Sequence, residues 1–158
     1  MAVKANHDIS SGLDTAFINS AINSNLAYRP EFVSNDYTQG KKVSVAIERE
    51  LLHCDAFYIS VAFITEGGLA PLKQVLAELR DKGIPGKILT TSYLTFTEPK
   101  ALKTLADLSN VEVRVYDSTD EGASGFHTKG YIFKEEEIYR FIVGSSNMTA
   151  SAFSVNKE

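Results

Sequence analysis

The chain has a single cysteine, Cys54, so no internal disulfide can form. Its N-terminus, "MAVKANHDISSG", lacks the apolar core of a signal peptide. Together these absences point to the cytoplasm. Long apolar runs are also missing. The longest, residues 56–64, has the length of a strand and falls far short of the ~18 residues that suggest a membrane helix. Internal repeats and low-complexity tracts are absent. Basic residues are in deficit, 16 Lys and Arg against 20 Asp and Glu, for a net charge of −4. That balance argues against a surface built entirely to grip nucleic acid, but leaves room for one local phosphate site. Histidine is scarce, with three in the chain, and no Asp/Glu/His cluster has ligand spacing. Neither a metal nor an organic cofactor is expected.

The 158 residues, 44% of them hydrophobic, suffice for a single domain with a sizeable core. Residues 13–24 read as a short helix and 25–36 as a loop, where Pro30 discourages helix at Arg29. In residues 42–52, Val43, Ile47 and Leu51 recur at helical spacing. Residues 56–64 are nearly all apolar, which predicts a strand covered on both faces. Leu69, Leu72, Leu76 and Leu79 mark a second helix, closed by Gly83. "GKILTTS" reads as a strand. Thr97 is the expected cap of a third helix, with Pro99 in its first turn. "VEVRVY" alternates as a third strand, and residues 117–125 form a polar loop. This alternation predicts parallel strands with helices packed on them. Two strands with no helix between them follow, so the sheet should be mixed. Its central strands should include residues 56–64, 130–133 and 139–143.

That last pair carries the chemistry. In "FHTKGYIFKEEEIYRFIVGSSNMT" a turn at residues 134–137 sets Phe133 against Ile138, Lys129 against Ile142 and His127 against Gly144. His127 and Lys129 share one strand face. Ser145 and Asn147 fall just past the same end. An imidazole, an ammonium, a hydroxyl and a carboxamide therefore converge. A helix beginning in "NMTASAF" adds free N–H groups that favour an anion. The glutamates at the far end of the hairpin stand roughly 20–25 Å away, where salt screens them. An anion is expected near His127 Nε2, Lys129 and Asn147.

These residues resemble the phospholipase D, or HKD, superfamily, whose motif is H-x-K followed by G-S-x-N. The chain has "HTK" and "GSSN". More narrowly, "FHTKGYIF…GSSNMTASAF…NKE" is similar to the single-motif N-terminal domain of bacterial DEAD/DEAH-type helicases. The resemblance implies an α/β fold with a mixed sheet flanked by helices. It also implies a metal-independent phosphodiesterase or nuclease acting on nucleic acid, DNA above all, through a phosphohistidine. His127, Lys129, Ser145 and Asn147 would carry the reaction. Glu158, eleven residues after Asn147, would orient His127. The motif's acidic position is occupied by Lys134, and Glu135 is placed in the turn. With one motif per chain, a complete site requires a homodimer with the site at its interface. "SAFSVNKE" ends just after a helix begins, which points to a longer polypeptide with ATP-binding helicase domains downstream. The alternative is a non-catalytic DNA-binding or positioning module that keeps the phosphate pocket.

Overall fold

The computed structural model describes residues 31–36, 38–119 and 126–154. Contacts divide the chain into two units, Met1–Val33 and Ser34–Glu158, and every element below belongs to the second. The helix expected over residues 13–24 lies outside the described residues, as does most of the loop before Asn35. In chain order the elements are α1 (Val43–His53), β1 (Ala56–Val61), α2 (Glu66–Leu69), a 3₁₀ turn (Ala70–Leu72), α3 (Lys73–Asp81) and β2 (Gly86–Thr91). A second 3₁₀ turn (Tyr93–Thr95), α4 (Pro99–Ala106), β3 (Val111–Tyr116), β4 (Lys129–Glu135), β5 (Ile138–Val143) and α5 (Ala150–Ser154) follow.

The five strands form one mixed sheet in the order β3-β2-β1-β4-β5. β1, β2 and β3 are parallel, and β4 runs antiparallel to both β1 and β5. Both helical crossovers, β1 to β2 and β2 to β3, step the same way along the sheet. Because such crossovers are right-handed, their helices land on the same face. α1 and α5 pack against that layer too.

One face of the sheet is therefore buried and the other open among the described helices. Phe57, Ile59, Val61, Ile88, Tyr131 and Phe133 point into the helices and are almost fully buried. Each such side chain contributes about 1.5–3 kcal/mol by leaving water. Tyr58, by contrast, is 37% exposed. This corrects the expectation that residues 56–64 are covered on both faces. Phe57-Ile59-Val61 against Tyr58-Ser60 is the alternation of a half-buried strand, obscured because tyrosine counts as apolar in the run. β5 is a further correction. It is an edge strand rather than a central one, with Phe141 62% and Val143 76% exposed.

Smaller differences have local causes. The leucine-patterned helix breaks into three pieces where Pro71 withholds its N–H, although Leu69, Leu72, Leu76 and Leu79 are all buried. Thr97 does not cap α4, whose N-cap is Glu98. The Thr97 hydroxyl instead donates to the Ala62 carbonyl at 3.3 Å, beside the Thr90 hydroxyl, which donates to the same oxygen at 3.1 Å. Burial makes satisfying that carbonyl worth more than a surface cap.

Cys54 closes α1, donating its thiol to the Leu51 carbonyl at 3.3 Å. Burial pushes the thiol from 9.0 up to about 11. Folding then favours the neutral thiol. This contribution to stability is complete below pH 9 and is lost as pH rises towards 11. At pH 8 the folded chain should hold roughly 100-fold less thiolate than the unfolded chain. Iodoacetamide should accordingly label Cys54 slowly in buffer and rapidly in urea, read by mass spectrometry. Equal rates would show the thiol to be accessible.

Candidate active site

The polar residues of the hairpin lie at the end of the sheet where the parallel strands finish. The turn contains only Glu136 and Glu137, and the register pairs Glu135 with Ile138 and Gly130 with Val143. This corrects the expected register by two residues. Glu136 takes a left-handed φ of 51°, which allows a tighter turn than the four residues expected. Lys129, rather than His127, now lies beside Gly144, whose N–H donates to the Lys129 carbonyl at 3.4 Å. A shift of two preserves strand parity, so each side chain keeps its face. Lys129 pairs with buried Val61 across the sheet, on the helix-covered side.

His127 and Lys129 are in direct contact. The ammonium lies 2.7 Å from His127 Nδ1 and 3.2 Å from Nε2, and donates to the His127 carbonyl at 3.1 Å. An ammonium can only donate, so the imidazole takes part in this contact as an acceptor. Both side chains remain reachable from solvent. Between them Thr128 points the opposite way and shares a 2.7 Å hydrogen bond with Ser60 on the open face.

The Gly-Ser-Ser-Asn segment is held from beneath. The Phe63 N–H donates to Asn147 Oδ1 at 3.1 Å. The Met148 N–H donates to the Phe63 carbonyl at 3.1 Å, and the Thr65 N–H to the Met148 carbonyl at 3.0 Å. The Tyr131 hydroxyl, fully buried under β4, donates to the Ser146 carbonyl at 2.9 Å. Asn147 is thereby fixed by its oxygen, which leaves its amide nitrogen as the group to offer a phosphoryl oxygen. Ser145 is exposed two residues beyond β5.

Glu158 lies outside the described residues. The acid at the turn end, Glu135, closes β4 and pairs with Arg140 at 3.3 Å, remote from His127. The expected anion-binding helix is described only as the five residues of α5, with the Thr149 hydroxyl accepting from the Ala152 N–H at 3.3 Å. A single turn has little dipole to offer, so the anion argument rests on the side chains.

The residue that sequence reasoning missed is Phe63. Its ring meets the His127 ring edge to face, with centroids 5.9 Å apart and planes at 72°. It was hidden inside the apolar run taken as one strand, yet β1 ends at Val61 and Phe63 belongs to the loop that follows. The clue was its place past the carboxyl end of a parallel strand, where α/β sheets hold their ligands.

The family described as Cardiolipin synthase, PLD-like domain matches residues 55–158. The chain belongs to the PLD-like domain family. The match spans β1 to the end of the chain, and so takes in the whole sheet and both halves of the motif. Membership places this PLD-like domain in a phosphodiesterase-type superfamily, and the mixed sheet with its layer of helices agrees with that fold. No curated protein matches the chain. Among the described residues, no helix is long and apolar enough to cross a membrane.

Proposed function

We propose that this PLD-like domain is a metal-independent phosphodiesterase acting on nucleic acid through a phosphohistidine. The observation that carries the reading is the contact of His127 with Lys129 at 2.7 Å, beside an Asn147 pinned by its oxygen. An arriving phosphodiester competes for the same ammonium. Lys129 transfers from the ring to a phosphoryl oxygen, where its charge stabilises the transition state. Release of the ammonium frees the imidazole for attack. Its reacting nitrogen forms a P–N bond while the P–O bond to the leaving alcohol breaks in line. A second histidine, as imidazolium, gives its proton to the leaving oxygen. Water then attacks phosphorus, the P–N bond breaks, and the proton lost by water returns to that second histidine. Glu158 is the acceptor assigned to hold the proton on the other nitrogen of His127.

These residues carry one such histidine, and this reading takes the second from another copy across a two-fold axis. The wider assignment, to the front of a helicase-type polypeptide with the dimer interface around this end of the hairpin, rests on the motif resemblance. The function is tested by cleavage of single- and double-stranded DNA in EDTA. Rapid quenching during turnover should trap an acid-labile, base-stable phosphoryl adduct on His127. Complete loss of cleavage in EDTA, restored by a divalent metal, would overturn the metal-independent mechanism. The dimer is tested by mass: light scattering at tens of micromolar should give twice the chain mass. A monomer retaining full activity would remove the shared site.

A further inference from the structure

Phe63 belongs to neither half of the motif and touches both. Its ring lies against His127, its N–H is bonded to Asn147, and its carbonyl takes the Met148 N–H. Behind it the Phe96 ring packs edge to face at 5.1 Å and 76°. We propose that Phe63 is a positioning residue, setting the rotamer of His127 for in-line attack and coupling it to the Gly-Ser-Ser-Asn segment. This rests on the phosphodiester reading of the site.

The reasoning starts from the backbone. β4 begins at Lys129, so His127 stands ahead of the ladder and its exposed side chain has several staggered wells open to it. Lys129 cannot fix the ring during reaction, because its long stem must swing towards phosphate. A flat, half-buried ring can. Edge-to-face packing is directional, and the planes at 72° are close to its preferred geometry. Phe96 gives the Phe63 ring a second edge-to-face contact. The backbone bonds of Phe63 make the arrangement a coupled one, since displacement of Asn147 pulls on the residue that steadies the imidazole. Misplacement of a reacting group by about 1 Å can cost on the order of 100-fold in rate.

Phe63→Leu isolates the ring. It keeps an apolar side chain and both backbone hydrogen bonds and removes only the flat surface. With a phosphodiester that the wild type hydrolyses, Phe63→Leu should lower kcat by roughly 10- to 100-fold with KM within about twofold. Phe63→Tyr keeps the ring and should recover most of the loss. The second readout needs no turnover. In protein labelled with ¹³C,¹⁵N-histidine, the three-bond couplings across His127 χ1 should show one rotamer in the wild type, averaging over rotamers in Phe63→Leu and one rotamer again in Phe63→Tyr. Unchanged His127 couplings, or a kcat in Phe63→Leu equal to wild type, overturn the proposal. If the wild type hydrolyses no phosphodiester, the proposed function falls, and the couplings decide the positioning claim alone. If Phe63→Leu loses its amide dispersion, Phe63→Met replaces it in the same comparison.

Discussion

Replacing His127 with alanine should reduce phosphodiester hydrolysis by at least ~1,000-fold, about 4 kcal/mol of transition-state stabilisation. The size follows from the role. On the proposed mechanism Lys129 and Asn147 would still gather the phosphoryl oxygens, but without an imidazole no P–N bond could form. Water must then attack directly, helped only by the surrounding charges. Lys129→Met leaves the nucleophile and removes one cation, so a smaller loss of roughly 100-fold is expected. Binding separates the two. His127→Ala should retain affinity for DNA, whereas Lys129→Met should weaken it and flatten its salt dependence. His127 is exposed and outside the core, so its removal should change stability by no more than about 0.5 kcal/mol. The assay is cleavage in EDTA under single-turnover conditions. Activity of His127→Ala within tenfold of wild type would exclude the histidine as nucleophile.

The largest structural effect should come from Gly68→Ala. Gly68 lies in α2, and a Cβ placed there would run into the Met148 carbonyl and the Thr149 N–H. Those are backbone atoms, with no side chain able to swing aside. α2 and the segment carrying Asn147 would have to separate, at the expense of the Thr65–Met148 hydrogen bond. A cost of about 3 kcal/mol is expected, equivalent to a fall in Tm of roughly 10 °C. Hydrolysis should fall as well, because Met148 adjoins Asn147. Gly67→Ala is the comparison. Its added Cβ would stand 3.1 Å from the Ala150 Cβ, a contact a small shift relieves. Calorimetry should find Gly67→Ala near wild type and Gly68→Ala far below it. Equal melting temperatures would mean that the approach of α2 to Met148 is looser than described.

Much of this architecture was readable in the residues. Leucines at helical spacing gave α3 its buried side, "VEVRVY" corresponds to β3 to the residue, and "GKILTTS" overruns β2 by Ser92 alone. The motif singled out one end of one hairpin, and there the structure puts His127 and Lys129 in contact and Asn147 on the Phe63 N–H. What stayed hidden depends on distant parts of the chain. The register of β4 and β5 turned on whether Glu136 would accept a left-handed backbone, which composition does not reveal. The edge position of β5 reflects the order of strands, not the sequence of β5 itself. Thr97 looked like a cap because its competing partner, the Ala62 carbonyl, lies 35 residues earlier. Phe63 was legible as apolar but not as the neighbour of His127, a contact spanning the whole βα portion of the sheet.

The two-residue difference in register has a consequence for how such a site tolerates change. A hairpin is graduated in pairs of residues, because alternate positions look out of opposite sides of the ribbon. His127 and Lys129 are counted on the same graduation as Tyr131 and Phe133, which the helices hold fixed. Lengthening both arms by two residues moves the glutamate turn outwards and leaves the imidazole where it was. Slipping one arm by a single residue rotates His127 and Lys129 to the open face, away from Phe63 and Asn147, while hardly altering the composition of the strands. The arithmetic of odd and even, more than the length of the hairpin, decides whether the two halves of the motif remain on speaking terms.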